Sequence, residues 1–256
     1  MKKEEVGHHF LARLGKTRLR PGGKQATDWL IAKGNFSKDK QVLEVACNIC
    51  TTAIALAKTY GCHITGIDLD HSVLEKARRN IHEQGVADRI EVMHGNATRL
   101  PFANNSFDIV LNEAMLTMLP LEAKQNAVSE YLRVLKPNGI LLTHDVLLNA
   151  HDEKDGEQVL ERLRDAIQIK VTPLTESGWR SLFLQAGFQT TDVISGEMSL
   201  LSPRGLIRDE GLLGALKIVR NAMKAENRAR FRKMFKTFND PACKLGFIAM
   251  RSRKTA

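Results

Sequence analysis

From residue 41 onward the apolar positions keep two rhythms. Short runs rich in β-branched and other apolar residues predict strands: Val42-Leu43-Glu44-Val45-Ala46, His63-Ile64-Thr65-Gly66-Ile67, Ile90-Glu91-Val92-Met93, Phe107-Asp108-Ile109-Val110-Leu111 and 139–143. Between them, apolar residues three and four apart predict helices over about 51–60, 72–84 and 122–135. Strands and helices that alternate in this way pair in parallel through right-handed crossovers, and helices cover both faces of the sheet. The chain therefore reads as an α/β protein with a largely parallel, doubly wound sheet.

The flanks are more helical. Ahead of the first strand, Phe10, Leu11 and Leu14 fall at helical spacing, Arg20-Pro21-Gly22-Gly23 reads as a turn, and a short helix is expected over 27–32. The turn Lys136-Pro137-Asn138-Gly139 leads into the fifth strand, and helices follow over about 153–169 and 177–186, the second stopped by Gly187. A strand over 191–195, long helices over 207–223 and 226–238, and a strand over 245–250 complete the pattern. The expected organisation is a helical lead-in or lid, 1–40, and one domain, 41–256, with a helical insertion at about 205–240 between the last two strands. No repeat with a solenoid period is visible.

The 256 residues are 43% hydrophobic and 26% charged, which suits one large core and excludes a disordered chain. The longest apolar runs, such as 140–142 and 146–148, fall far short of the roughly 18 residues a membrane span needs, so no integral membrane association is expected. The start, Met1-Lys2-Lys3-Glu4-Glu5 and then His8-His9, lacks the apolar core of an export signal, and a cytoplasmic protein is expected. Cys47, Cys50, Cys62 and Cys243 are too few for a disulfide framework and are expected as thiols. The net charge of +9 is uneven. Residues 1–40 carry ten basic and four acidic side chains, and residues 201–256 carry fourteen and four, so the basicity lies at the two ends.

In a doubly wound sheet, ligands bind beyond the carboxyl ends of the strands, where neighbouring crossovers leave on opposite faces. That rule selects the turn after strand one, Glu44 to Thr52, whose helix N-terminus offers unpaired N–H groups. It also selects Asp68, ending Gly66-Ile67-Asp68, because a carboxylate can accept both hydroxyls of a ribose. Gly95-Asn96-Ala97 after strand three and Asn112-Glu113 after strand four complete the set, and all four are expected to line one crevice.

These residues resemble a known family. Val42-Leu43-Glu44-Val45-Ala46-Cys47-Asn48, Gly66-Ile67-Asp68-Leu69-Asp70, Gly95-Asn96-Ala97-Thr98-Arg99-Leu100-Pro101-Phe102, Asn105-Ser106-Phe107-Asp108-Ile109-Val110, Leu132-Arg133-Val134-Leu135-Lys136-Pro137-Asn138-Gly139 and the stretch from Trp179 to Phe188 are similar to class I S-adenosylmethionine-dependent methyltransferases. The likeness covers about 40–195 and is nearest to the bacterial small-molecule branch that includes quinone-biosynthesis enzymes. It implies a Rossmann-like seven-stranded sheet, mostly parallel with the last strand antiparallel, and S-adenosylmethionine as cofactor, leaving S-adenosylhomocysteine as product. In the family's terms Asp68 would hold the ribose, the backbone at Ala46 and Cys47 would face the methionine part, and Glu44, Asn48 and Leu69 would also bind the cofactor. Asn96 with the Ala97 N–H would read adenine, and Asn112 would border the sulfonium. The family normally has glycine where this chain has Ala46, Asn48 and Cys50, and an Asp where it has Asn96.

Methyl transfer by in-line displacement to a small or partly apolar acceptor is the expected activity, with Glu113 or His144 as the base if the acceptor must lose a proton. Of the adjacent pair His144-Asp145, at most one should face substrate. Arg20, beside flexible glycines, either reaches the cofactor carboxylate or belongs to a plain turn. The lead-in and the late helices would form the lid, and Met115, Leu116, Met118 and Leu119 an apolar wall. Other readings stand beside these. Cys47-Asn48-Ile49-Cys50 matches a redox C-x-x-C at a helix N-terminus, whereas four cysteines converging on zinc is less well supported by their spacing, and no metal is expected. Asp68 competes with Asp70 as a helix cap, and His8-His9 read more simply as part of a lead-in helix. The basic C-terminal region, with Arg228, Arg230, Arg232, Lys233 and Lys236, suits RNA or an anionic membrane surface if it is not a solvated face. An RNA methyltransferase and a non-catalytic cofactor-binding scaffold are therefore the alternatives.

Overall fold

The computed structural model describes residues 5–150 and 152–255. Two helices, α1 (Gly7–Leu14) and α2 (Gly23–Lys33), precede the first strand. The alternating body runs β1 (Gln41–Val45), α3 (Thr51–Tyr60), β2 (His63–Asp68), α4 (His71–Glu83), β3 (Ile90–His94), β4 (Phe107–Glu113), α5 (Leu121–Val134) and β5 (Leu135–Leu148). It continues through α6 (Glu153–Ile167), α7 (Glu176–Gln185), β6 (Phe188–Glu197), α8 (Pro203–Ala222), α9 (Ala225–Asn239) and β7 (Leu245–Lys254).

Seven strands form one sheet in the order β3-β2-β1-β4-β5-β7-β6. The strands from β3 to β5 pair in parallel, and β7 runs antiparallel between β5 and β6. Because β1 lies between β2 and β4, the chain reverses its direction of travel across the sheet there, which places the switch point at the C-terminal ends of β1 and β4. Alternation within β4 separates two cores. Ile109 and Leu111 pack with α3 and α4, and Val110 packs with α5 and α7.

Several elements extend beyond their predicted ends. The expected turn at 136–139 belongs to the beginning of β5, where Asn138 adopts a left-handed conformation (φ 65°) and the pairing with β4 shifts between Phe107 and Ile109. β6 is twice the predicted strand, because β7 offers a partner along its whole length. α8 begins at Pro203, capped by Ser202, and kinks at Gly211 (φ 71°). Asp70 caps α4, accepting from the Ser72 and Val73 N–H groups, so that role does not fall to Asp68.

The lead-in is fastened to the last third of the chain. Lys16 Nζ lies 3.0 Å from Asp209 on α8, both side chains wholly buried, and Glu210 accepts from the Thr17 and Arg18 N–H groups. Gly23 (φ 54°) lies against Asp209, whose Oδ1 would stand 2.4 Å from any added Cβ, so backbone angle and packing both demand glycine.

Candidate functional site

The switch point opens into one cavity of about 290 Å³. Its polar end is made from strand ends and the turn after β1. Ala46, Asn48 and Cys50 all lie in the left-handed region, with φ of 56°, 49° and 60°. These are the three places where the sequence lacks glycine. Asn tolerates that conformation, whereas Ala and Cys are strained there. The turn aims the start of α3 at the cavity, lined here by Ala46, Cys47, Asn48, Ile49 and Thr51.

Asp68 lines the same cavity. Its Oδ2 accepts the Asn48 N–H (3.0 Å) and its Oδ1 the Asp70 N–H (3.0 Å), which fixes the carboxylate while leaving lone pairs on both oxygens. Glu44 is buried beneath the turn and accepts the Ala53 N–H at 3.2 Å. Burial pushes its carboxyl up to about 8, against a smaller opposing pull from Arg20. Arg20 lies across the cavity, with Nη1 2.8 Å from Glu113 Oε1 and 3.0 Å from Thr27 Oγ1.

Glu113 also lines the cavity, and every side of it is held. Thr52 donates to Oε1 (3.1 Å) and Thr27 to Oε2 (2.5 Å), and the His144 ring stands 3.1 Å from Oε2. Burial alone would raise its pKa, but Arg20, His144 and Thr27 together outweigh that and hold it at about 2. His144 is fully buried, and its Nε2 accepts the Gly22 N–H (2.9 Å), so its Nδ1 carries the proton donated to Glu113. Neither His144 nor Asp145 faces the cavity. Asp145 is buried on the other side of the sheet, accepting from the Thr117 and Val146 N–H groups.

The remaining expected residues are placed elsewhere. Asn112 is wholly buried on the Val110 side of β4, donating to Thr143 Oγ1 (3.1 Å), because alternation along β4 turns it away from Glu113. Asn96 is exposed and closes its own turn, accepting from the Thr98 N–H and hydroxyl. Ala97 packs, partly buried, against the core that holds Val110, and Leu69 is 60% exposed. The crevice thus joins the turn, Asp68 and Glu113, but not the 95–97 loop. Met115 and Met118 reach the cavity, whereas Leu116 and Leu119 pack beneath it. Cys47 and Cys50 are buried free thiols, and their mutual hydrogen bond and burial push the Cys47 thiol upward, the reverse of what a redox site needs. Among the described residues no cluster of His, Cys, Asp and Glu is placed to hold a metal ion.

The far end of the cavity is apolar and comes mainly from helices: Leu11 of α1, Leu163 and Ile167 of α6, and Met234 and Phe238 of α9, joined by Met198 just after β6. His8 of α1 lines the cavity as well, with burial lowering its pKa and Asp68 partly offsetting that. Thr52 closes the turn selected from the sequence, but its bond to Glu113 is not written there, and Thr27 and His8 come to the site only through packing.

Fold and site together define a methyltransferase of the Rossmann-like kind. A family model described as "Methyltransferase domain" matches residues 42–139, and the chain belongs to the class I S-adenosylmethionine-dependent methyltransferases. It is 30% identical over 187 residues to the uncharacterized methyltransferase YodH of Bacillus subtilis, covering 73% of this chain and 76% of that one. An uncharacterized protein of Haemophilus influenzae is 63% identical over 254 residues, 99% of this chain and all of its own. Further curated relatives with methyltransferase names are matched over 31% to 67% of their length. Geranyl diphosphate methyltransferase in complex with SAM shares the fold, with a TM-score of 0.67 at 13% identity over 91% of this chain and 85% of its own. No described helix is long and apolar enough to cross a membrane.

Proposed function

We propose that the enzyme binds S-adenosylmethionine across the polar end of the cavity and methylates a small, largely apolar acceptor held at the helical end. The observation that carries this reading is the continuity of the two ends in one cavity, carboxylates, Arg20 and turn N–H groups at one side and Leu, Ile, Met and Phe side chains at the other.

The residues fit the cofactor. Asp68 has free lone pairs for ribose hydroxyls, Arg20 is a cation on the cavity wall for the donor's carboxylate, and Glu44, kept protonated below about 8 by burial, offers a carboxyl that an arriving ammonium would draw toward its charged form. Asn96, Ala97 and Asn112 are not given contacts in this reading. The donor supplies an electrophilic methyl on its sulfonium, so the chain needs to align the acceptor and exclude water. Glu113 acts as a positioning residue, holding Arg20 and through His144 the strap at Gly22. An acceptor that must lose a proton would give it to His8, which faces the cavity and whose lowered pKa keeps it neutral near pH 7.

Calorimetry with S-adenosylhomocysteine, paired with a turnover assay on apolar and polar small-molecule acceptors, tests this. Asp68→Ala removes two charge-assisted contacts and is expected to weaken binding about 100-fold. His8→Ala should lower turnover of proton-releasing acceptors with cofactor affinity unchanged. Undiminished binding by Asp68→Ala overturns the cofactor placement, and binding without product on any acceptor supports the scaffold reading instead.

A further inference from the structure

Away from the cavity, α8 and α9 enclose a second hollow of about 400 Å³ on the outer surface. Leu212, Leu216, Val219 and Met223 line one wall, at intervals of four, three and four residues that put them on one helical face. Phe231 and Phe235 line the other wall. The apolar side chains are not covered. Leu212 is 61% exposed, Leu216 57% and Met223 50%, and Leu213 beside them is 82% exposed. A contiguous patch of this kind marks an interaction surface.

Charge is arranged around the patch in the same order on both helices. On α8, Ala215, Ile218 and Ala222 face the core, the stripe from Leu212 to the C-cap Met223 comes next, and Lys217 and Arg220 follow farther round the helix. On α9, Met234 and Phe238 face inward, Phe231 and Phe235 come next, and Arg228, Arg232 and Lys236 follow. Residues 203–239 contain ten basic and three acidic side chains. Two of those acids, Asp209 and Glu210, are taken up by Lys16, and of the bases Arg230 pairs with Glu5 and Lys233 with Asp165, so Lys217, Arg220, Arg228, Arg232 and Lys236 make the exposed surface cationic.

We propose that α8 and α9 form a peripheral docking surface for an anionic lipid bilayer, the apolar stripe entering the interfacial region and the outer Lys and Arg residues meeting lipid phosphates. An exposed Leu and Met stripe rimmed by cations is the composition of a helix lying in a membrane interface. Each basic residue near an anionic surface adds attraction. A nucleic-acid site would expose stacking and polar groups at its centre, whereas here Leu and Met are the exposed groups and the Phe231 and Phe235 rings are half-buried in the groove wall. α9 turns Met234 and Phe238 into the switch-point cavity and Phe231 and Phe235 into the outer groove, so the docked face lies one helix away from the apolar acceptor end. The docking itself does not depend on methyl transfer.

The test is co-sedimentation of the full chain, without cofactor, with vesicles of equal parts phosphatidylglycerol and phosphatidylcholine, and with vesicles of phosphatidylcholine alone. The wild type should bind the anionic vesicles at least about tenfold more tightly, and added salt should weaken that preference. Leu212→Glu with Leu216→Glu, and separately Lys217→Glu with Arg220→Glu, should each cost at least about tenfold while leaving the circular dichroism melt in place, because all four side chains are exposed. Equal binding to both vesicle types, or folded variants of both kinds binding like wild type, overturns the proposal. So does a wild-type dimer in light scattering that the Leu212→Glu, Leu216→Glu protein fails to form, since the patch would then belong to a second copy. Single-stranded RNA held equally well by wild type and the leucine variant, in the absence of vesicle binding, would assign the cations to nucleic acid.

Discussion

The two ends of the switch-point cavity are built differently. At the polar end, positions are set by backbone: strand ends, a left-handed turn and N–H groups fix Asp68 and Glu44 within a contiguous stretch of sheet. At the apolar end, side chains from α1, α6 and α9 converge from distant parts of the chain, and the lead-in is tied down by a buried charge cluster rather than by sheet hydrogen bonds. The contrast shows that one cavity can draw its polar end from the backbone geometry of the sheet and its apolar end from helices brought together by packing.

The contrast can be broken most forcefully at Lys16. Lys16→Met leaves the Asp209 carboxylate buried without its cation, and urea unfolding should show a loss of about 3–5 kcal/mol. If only the helical end depends on this clasp, S-adenosylhomocysteine binding at low denaturant should fall much less than acceptor binding.

Acid and base should act on the polar end with opposite signs. Glu44, ordinarily near 4.5 and held at about 8 by burial, keeps a proton in the folded state that the unfolded chain releases. Stability should therefore fall by a few kcal/mol as pH rises from about 4.5 to 8, and Glu44→Gln should flatten that slope in urea midpoints. Glu113, held at about 2, makes the reverse contribution, present above its ordinary value near 4.5 and lost as pH falls toward 2.

The smallest effect concerns the turn. Ala46→Gly relieves a left-handed alanine and should stabilise the protein by up to about 1 kcal/mol in thermal melts, with cofactor affinity equal or improved. A loss of stability instead would mean that the turn draws rigidity from alanine.

Much of the sheet was legible because strand periodicity is local. The runs at 42–46, 63–67 and 107–111 needed only their own residues to be recognised as strands, and Asp68 and the turn could be located by counting to strand ends. The site residues failed where side-chain direction mattered. Asn112 and Glu113 are neighbours in sequence yet face opposite cores, and His144, expected over the crevice, is held beneath it by Gly22 and Glu113. The helix kink at Gly211 and the uncovered stripe beyond it also depend on what packs nearby.

The amino-acid order alone determined the alternation of strands and helices, the switch point and the placing of the turn and Asp68 at strand ends, because each rests on short-range periodicity and backbone geometry. Tertiary structure decided which carboxylates are held and which are available, how Arg20 and His8 come to the cavity, and where the apolar end lies. Those outcomes depend on contacts between residues as far apart as Lys16 and Asp209, whose burial and pairing no local pattern encodes.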